Sequence, residues 1–400
     1  MIAFICHPYH RGGVTRWMVD MAIAYARRGE KVFFITVNPA RPFYSSGGTE
    51  TIISMLEDTR VNVVAEKAGW AFELGTQTYR ATVYATLLTR HVPAGTSVIL
   101  SDDFAAWEVS GLLKGQYRFV GVLHADDKAY YNLALTYKNS IDVFTCVSKR
   151  VKQTLLQLAD FSNEAVHVIP CGIHLPRVKR AVYANDTIKL AYIGRVTEHQ
   201  KRVTDLVKVA TGLKNENINF TLKVIGDGED RVQFEKEVTA AKLEQYIEML
   251  GWLPKEKIFE ILSATDLVLL TSAFEGMPIA AMEGLSAGCG IISTRVSGVE
   301  DYEFNTFALN SMWLNDVGDT EKAVANIKKA MQVSGNTRLE AATQLAASEF
   351  SMEICMSRYD EVISEFKESH VSGSNKLNGF WTKMQSYPRA FARLLKMKYA

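Results

Sequence analysis

Residues 188–194 read IKLAYIG: a compact apolar run closed by glycine, with a polar loop and then a helix behind it. The run restarts a pattern already met at the N-terminus. There MIAFIC (1–6) reads as a buried strand and HPYHRGG (7–13) as a turn. Val14, Trp17, Met18, Met21, Ala22 and Tyr25 then recur at helical spacing, so 14–28 is an amphipathic helix that Gly29 closes. KVFFITV (31–37) is the next strand, followed by SVIL (97–100), RFVGVL (118–123), DVFTCV (142–147) and AVHVIP (165–170). Ser148 is placed to cap the helix after DVFTCV. Beyond residue 188 the strands are NFTLKVIGDGE (219–229), YIEMLGWL (246–253), LVLLTS (267–272) and GIIST (290–294). KIFEILSATD (257–266) and IAAMEGLSAG (279–288) are helices between them. Two sets of alternating strands and helices, joined near 172–187, give an α/β chain of two doubly wound domains, with ligands expected in the cleft between them.

The composition sets limits on function. The chain has 400 residues, 48% hydrophobic and 22% charged, with a formal charge of +1, so nothing in it marks a nucleic-acid binder. Five scattered cysteines without a C-x-x-C pair argue against a disulfide framework or a zinc site and read as buried thiols. The apolar run at the N-terminus is about five residues, too short for the core of a signal peptide. No stretch approaches the ~18 apolar residues of a membrane span. The expectation is a cytoplasmic protein that can still touch a membrane surface.

Four loops follow strands where parallel sheets bind ligands. In HPYHRGGVTR, Gly12 and Gly13 precede a helix whose N-terminus favours negative charge, although a tight turn would also need glycine. ITVNPA offers no acid for a nicotinamide ribose. In GRVTEHQKR, Arg195 and Lys201 can neutralise a diphosphate or stand as ordinary surface charges. VIGDGED turns sharply and says little alone. TSAFEGMPIAAMEG (271–284) carries Glu275 and Glu283, eight residues apart. Pro278 begins the helix, and Glu275 just before it complements the helix dipole. Glu283 lies inside the helix among Ala281, Met282, Leu285 and Ala287, where a carboxylate needs a partner. Sugar hydroxyls suit both acids, since a carboxylate accepts several hydrogen bonds.

Taken in order, Gly12-Gly13, Gly194-Arg195…Lys201, Val224-Ile225-Gly226-Asp227-Gly228, and Glu275…Glu283 followed by Ala287-Gly288 resemble the retaining glycosyltransferases of family 4. VIPCGIH (168–174) resembles that family's segment ending the N-terminal domain, and the resemblance covers about residues 1–366. It implies the GT-B fold: a Rossmann-like acceptor domain at 1–175, rejoined by C-terminal helices from about 345–400, and a Rossmann-like donor domain at 186–344. By resemblance, Arg195 and Lys201 bind the donor diphosphate, Glu283 holds the ribose and Glu275 lies beside the donor sugar. Gly12, Gly13 and the amides of Gly276, Met277 and Ile279 contact sugar and phosphate. Pro278 has no amide proton to give. His124, in FVGVLHADD, touches the sugar or the reacting centre. Two residues depart from the pattern. Arg202 stands where many relatives have glycine, and Gly284 where the family often has alanine.

The implied reaction moves a sugar from a nucleoside diphosphate, UDP slightly favoured, to a glycan or lipid-linked acceptor hydroxyl with retention, in a surface-polysaccharide or glycolipid pathway. No D-x-D triplet occurs, so no metal and no resident cofactor is expected. The base-reading loop, near Met249–Leu253, meets bases mainly through backbone and does not specify the nucleotide. The rival readings are a 2-epimerase, a phosphorylase and a non-catalytic sugar-nucleotide-binding subunit. At 380–400, Lys383, Arg389, Arg393, Lys396 and Lys398 interleave with Trp381, Tyr387, Phe391, Leu394 and Leu395 without an acid. This segment is expected either to lie on the inner membrane surface or to pack back on the N-domain.

Overall fold

Strands covered on both faces read as continuous apolar runs, and the runs above build two parallel sheets. The structure is a computed structural model, and it describes residues 1–8, 12–38, 52–67, 72, 74–101, 103–176 and 187–365. The expected amphipathic tail at 380–400 and most of the joint between the domains lie outside the described residues.

The first sheet holds β1 (Ile2–Ile5), β2 (Val32–Asn38), β3 (Asn62–Lys67), β4 (Ser97–Leu100), β5 (Arg118–Leu123), β6 (Val143–Cys146) and β7 (Val166–Val168). Its order is β3-β2-β1-β4-β5-β6-β7, and every pairing is parallel. The second sheet holds β8 (Ile188–Ile193), β9 (Phe220–Ile225), β10 (Ile247–Gly251), β11 (Leu267–Leu270), β12 (Gly290–Thr294) and β13 (Met312–Asn315). Its order is β10-β9-β8-β11-β12-β13, again all parallel. Both sheets reverse direction of winding beside their first strand, at β1/β4 and β8/β11, and a doubly wound sheet opens its ligand crevice there. The chain has two parallel-sheet α/β domains of Rossmann type.

The apolar runs explain the cores. Trp107, Phe119, Tyr84 and Phe144 fill the first domain, and Tyr192, Phe220, Phe234 and Ile327 the second. Ser148 caps the helix Lys149–Leu158 by accepting from the amide of Val151. Two strands were not legible in the sequence. β3 and β13 are edge strands: Asn62–Lys67 is exposed or half-exposed throughout, and Met312–Asn315, buried only at its two ends, is an apolar run of just three residues, so neither carries the long unbroken apolar signature of the central strands.

The helix Met352–Glu365 lies against the first domain. Tyr359 and Thr145 hydroxyls meet at 3.1 Å, Tyr25 donates to the carbonyl of Met356 at 3.3 Å, and Arg28 pairs with Asp360 at 2.5 Å. Its entry is fixed by backbone bonds between Ile173 and both Phe350 and Met352. Contacts between the domains continue at Ser148–Ser297 (2.5 Å) and Arg150–Glu300 (2.6 Å). No helix among the described residues is long and apolar enough to cross a membrane.

A Cβ added at Gly172 would stand 2.6 Å from Cβ of Cys355 and 3.0 Å from Cα of Met352. Gly172→Ala is therefore expected to push the helix Met352–Glu365 outward and cost about 1–3 kcal/mol. An unchanged urea midpoint would show that this helix entry is not tightly packed.

Candidate functional site

The loop after β8 is shaped by its own short helix, Glu198–Lys201, and by the backbone beneath it. The turn after β9 packs on it so closely that a Cβ at Gly226 would lie 1.9 Å from the carbonyl oxygen of Gly194. Asp230 accepts from the amide of Glu198 at 2.7 Å. Arg202 closes the short helix in the left-handed conformation, φ 47°, which glycine adopts without strain and arginine does not. Its guanidinium is held by buried Asp205 at 2.7 Å, so the departure from glycine comes with its own ion pair.

This loop leads Lys201 to the loop after β11. Lys201 Nζ lies 2.5 Å from Glu275 Oε1, with the side chains 16% and 8% exposed. Ser272 Oγ donates to the same oxygen at 2.6 Å. The two loops are also stitched by backbone. Ala273 N donates to the carbonyl of Gln200 at 2.8 Å, and Thr271 Oγ1 to that of Lys201 at 2.8 Å. Arg195 donates to Gln200 Oε1 at 2.6 Å, and the Gln200 amide reaches the carbonyl of Phe274 at 3.3 Å. Arg195, Lys201 and Glu275 thus converge at the winding reversal of the second sheet. A buried pair of this kind owes its geometry to its neighbours, because desolvating two charges offsets much of their attraction.

The next residue reaches the other domain. Gly276 makes an antiparallel bridge with Ala125, and a Cβ at Gly276 would sit 1.8 Å from the carbonyl oxygen of His124. His124, after β5, is buried, and burial pushes its imidazole pKa down to about 3, so the ring is neutral at physiological pH. Its Nδ1 lies 3.6 Å from Cys171 Sγ. Burial drives the Cys171 thiol pKa well up, so the sulfur stays protonated, and its S–H can donate to Nδ1 in the tautomer that carries the ring proton on Nε2. That buried Nε2 has no hydrogen-bond partner among the described residues.

Met277 is buried, and Pro278 caps the helix Ile279–Ser286. Gly13 faces Ile279, where a Cβ would come within 3.2 Å of Ile279 Cγ1. Gly12 has φ +134°, a conformation that L residues rarely adopt. Gly284 packs the helix onto the sheet, since a Cβ there would be 2.8 Å from Val268 Cγ2. Glu283, the residue before it, is partly buried. Desolvation raises its carboxyl pKa, Lys255 and Arg16 oppose that, and Asp20 adds to it. Asp20, Lys255 and Arg16 were missed in the sequence. Asp20 gave a weak signal, as an acid between Val19 and Met21 on a helix otherwise apolar on that side; Lys255 gave none.

Comparison with known proteins agrees with this layout. Residues 11–177 match the model described as Glycosyltransferase Family 4, and residues 178–345 that of Glycosyl transferases group 1. The chain is 26% identical over 283 residues to a phosphatidylinositol N-acetylglucosaminyltransferase component of Arabidopsis thaliana, covering 70% of this chain and 58% of that one. It is 30% identical over 181 residues to the lipopolysaccharide 1,6-galactosyltransferase of Escherichia coli K12, covering 42% and 49%. The chain spans about half the length of the curated relatives it matches. Anabaena Alr3699/HepE, crystallised with UDP-glucose, superposes with a TM-score of 0.71 at 17% identity, over 91% of this chain and 99% of that one, a likeness of fold. The chain is thus a GT-B protein made of a Glycosyltransferase Family 4 domain and a glycosyl transferases group 1 domain.

Proposed function

We propose that the protein is a retaining glycosyltransferase that moves a sugar from a nucleoside diphosphate to an acceptor hydroxyl. One observation carries the reading. The Lys201–Glu275 pair stands at the winding reversal of the second domain, and the next residue, Gly276, rests on the His124–Ala125 backbone of the first. Cations for a diphosphate, an acid for a sugar and a neutral histidine from the facing domain therefore share one cleft.

In this mechanism the bond between the anomeric carbon and the diphosphate oxygen breaks, and its electron pair stays on that oxygen. Arg195, Lys201 and the N-terminus of the helix Ile279–Ser286 stabilise the charge that builds there. The acceptor oxygen bonds to the same face of the anomeric carbon, and its proton passes to the departing phosphate oxygen. Glu275 orients sugar hydroxyls, Glu283 accepts from the ribose, and the His124 Nε2–H donates to the sugar or the leaving group. Gly12, Gly13 and the amides of Gly276, Met277 and Ile279 line the donor.

UDP-sugars are the favoured donors, supported by the UDP-glucose complex of HepE. The names of the relatives support two acceptor classes, a lipopolysaccharide-type glycan and a phosphatidylinositol-type lipid. Either acceptor would put the work at the cytoplasmic face of a membrane, in surface-glycan or glycolipid synthesis.

The test is a screen of UDP-, GDP- and ADP-sugars for transfer and for slow donor hydrolysis without acceptor. A non-catalytic binding protein releases no nucleotide, a 2-epimerase returns an epimeric nucleotide sugar, and a phosphorylase requires inorganic phosphate. Lys201→Ala and Glu275→Gln are expected to stay folded by circular dichroism and lose ~30- to 1000-fold in turnover, the loss of one charged contact worth about 2–4 kcal/mol. Near-normal turnover in either folded variant removes that residue from the mechanism.

Turnover is also expected to survive EDTA, because side chains and a helix end neutralise the diphosphate. Activity abolished by EDTA and restored by magnesium or manganese would reject that account.

His124 predicts a pH dependence. Its folded pKa, about 3, lies below the unfolded value near 6.5, so the unfolded chain takes up the proton first and stability falls as pH drops from about 6.5 toward 3. Between pH 7 and 5 this group alone accounts for about 2 kcal/mol. His124→Asn should flatten the urea-stability profile over that interval, and an unchanged slope would contradict a neutral buried ring.

A further inference from the structure

Asp20 is an acid on the buried side of the helix Gly13–Arg27, only 5% exposed, and its two carboxylate oxygens have different partners. Arg16, one turn earlier on the same helix, donates to Oδ1 at 3.0 Å. Lys255 Nζ, from the second domain, lies 3.3 Å from Oδ2. One cation belongs to each domain.

The position of this pair gives it a role. Lys255 opens the helix Lys255–Leu262, a few residues beyond β10 and the expected base-reading loop. The helix that carries Asp20 begins at Gly13, against Ile279, and Ile279 opens the helix that carries Glu283. The charges of Lys255, Asp20 and Arg16 all act on Glu283, and those of Asp20 and Lys255 also act on His174, in the segment that joins the sheets. The ion pair therefore lies between that joining segment and the ribose end of the cleft.

We propose that Asp20 and Lys255 are a positioning pair whose ion pair draws the two domains together over Glu283 and thereby sets the fraction of molecules competent to bind donor. Neither residue touches the reacting atoms. The arrangement is reversible by construction. When the domains part, Asp20 keeps Arg16 on its own helix, and Lys255, whose side chain is 24% exposed, turns to water. Neither charge is stranded, so opening avoids the large penalty of an unpaired buried ion. A donor that contacts both domains binds with its intrinsic affinity multiplied by the fraction of closed molecules, so its apparent affinity falls as the open state gains population. The donor part of the proposal rests on the glycosyltransferase reading; the closure part does not.

The test uses the full chain with Asp20→Asn, Lys255→Met, the double variant and Lys255→Arg. Small-angle scattering without nucleotide is expected to give a larger radius of gyration for both single variants and the double, and a compact particle for Lys255→Arg. In turnover, each single variant should raise the donor KM roughly tenfold with kcat little changed. The double should be no worse than either single, as expected of two residues acting as one unit. Unchanged scattering or unchanged KM in the folded single variants, or additive effects in the double, would overturn the proposal. Glu283→Ala keeps the ion pair and is expected to stay compact while losing UDP affinity by calorimetry. Failure of the ribose reading therefore shows in UDP binding, and failure of the positioning pair in the scattering.

Discussion

The second domain reaches the first through a residue that has no side chain. Gly276 lies on the backbone of His124 and Ala125, where any Cβ would overlap a carbonyl oxygen. Two loops from separate sheets are brought to hydrogen-bonding distance there, and much of the site is arranged around that contact. Glu275, one residue before it, is thereby carried to the same edge of the cleft as His124. Met277 and Pro278, after it, start the helix that bears Glu283.

Around that contact the charged groups are held by layers of partners. Lys201 and Glu275 neutralise each other, Ser272 fixes the carboxylate, and Gln200 ties the Arg195 side chain to the backbone of Phe274. The turn after β9 underlies this loop and contributes contact and shape. Glycine-rich turns near a crevice are easily read as ligand cradles; here the closest approach of Gly226 is to Gly194. His124 follows the opposite rule. It is kept neutral by exclusion from water and contributes a dipole where a charge would be costly.

Much of the fold was legible because central parallel strands are apolar on both faces, and the restart at IKLAYIG announced a second sheet. β3 and β13 were not: β3, Asn62–Lys67, mixes polar and apolar residues like a loop, and β13, Met312–Asn315, has only three apolar residues in a row. Of the candidate site, the residues beside glycines and helix starts could be found, because glycine and proline leave marks at fixed offsets. The two departures from the family pattern needed coordinates. Arg202 is tolerated in a left-handed turn through its ion pair with Asp205, and Gly284 allows its helix to sit on Val268.

The sequence by itself determined the parallel α/β architecture, the two-domain layout and the order of the loops, because these follow from local periodicity and from residues with special backbone geometry. The tertiary structure decided which charges meet. Lys201 and Glu275 are 74 residues apart in the chain, and Asp20 and Lys255 are 235. No local pattern encodes such a pairing. Its strength depends on how deeply the two groups are withdrawn from water, and burial is a property of the packed domains.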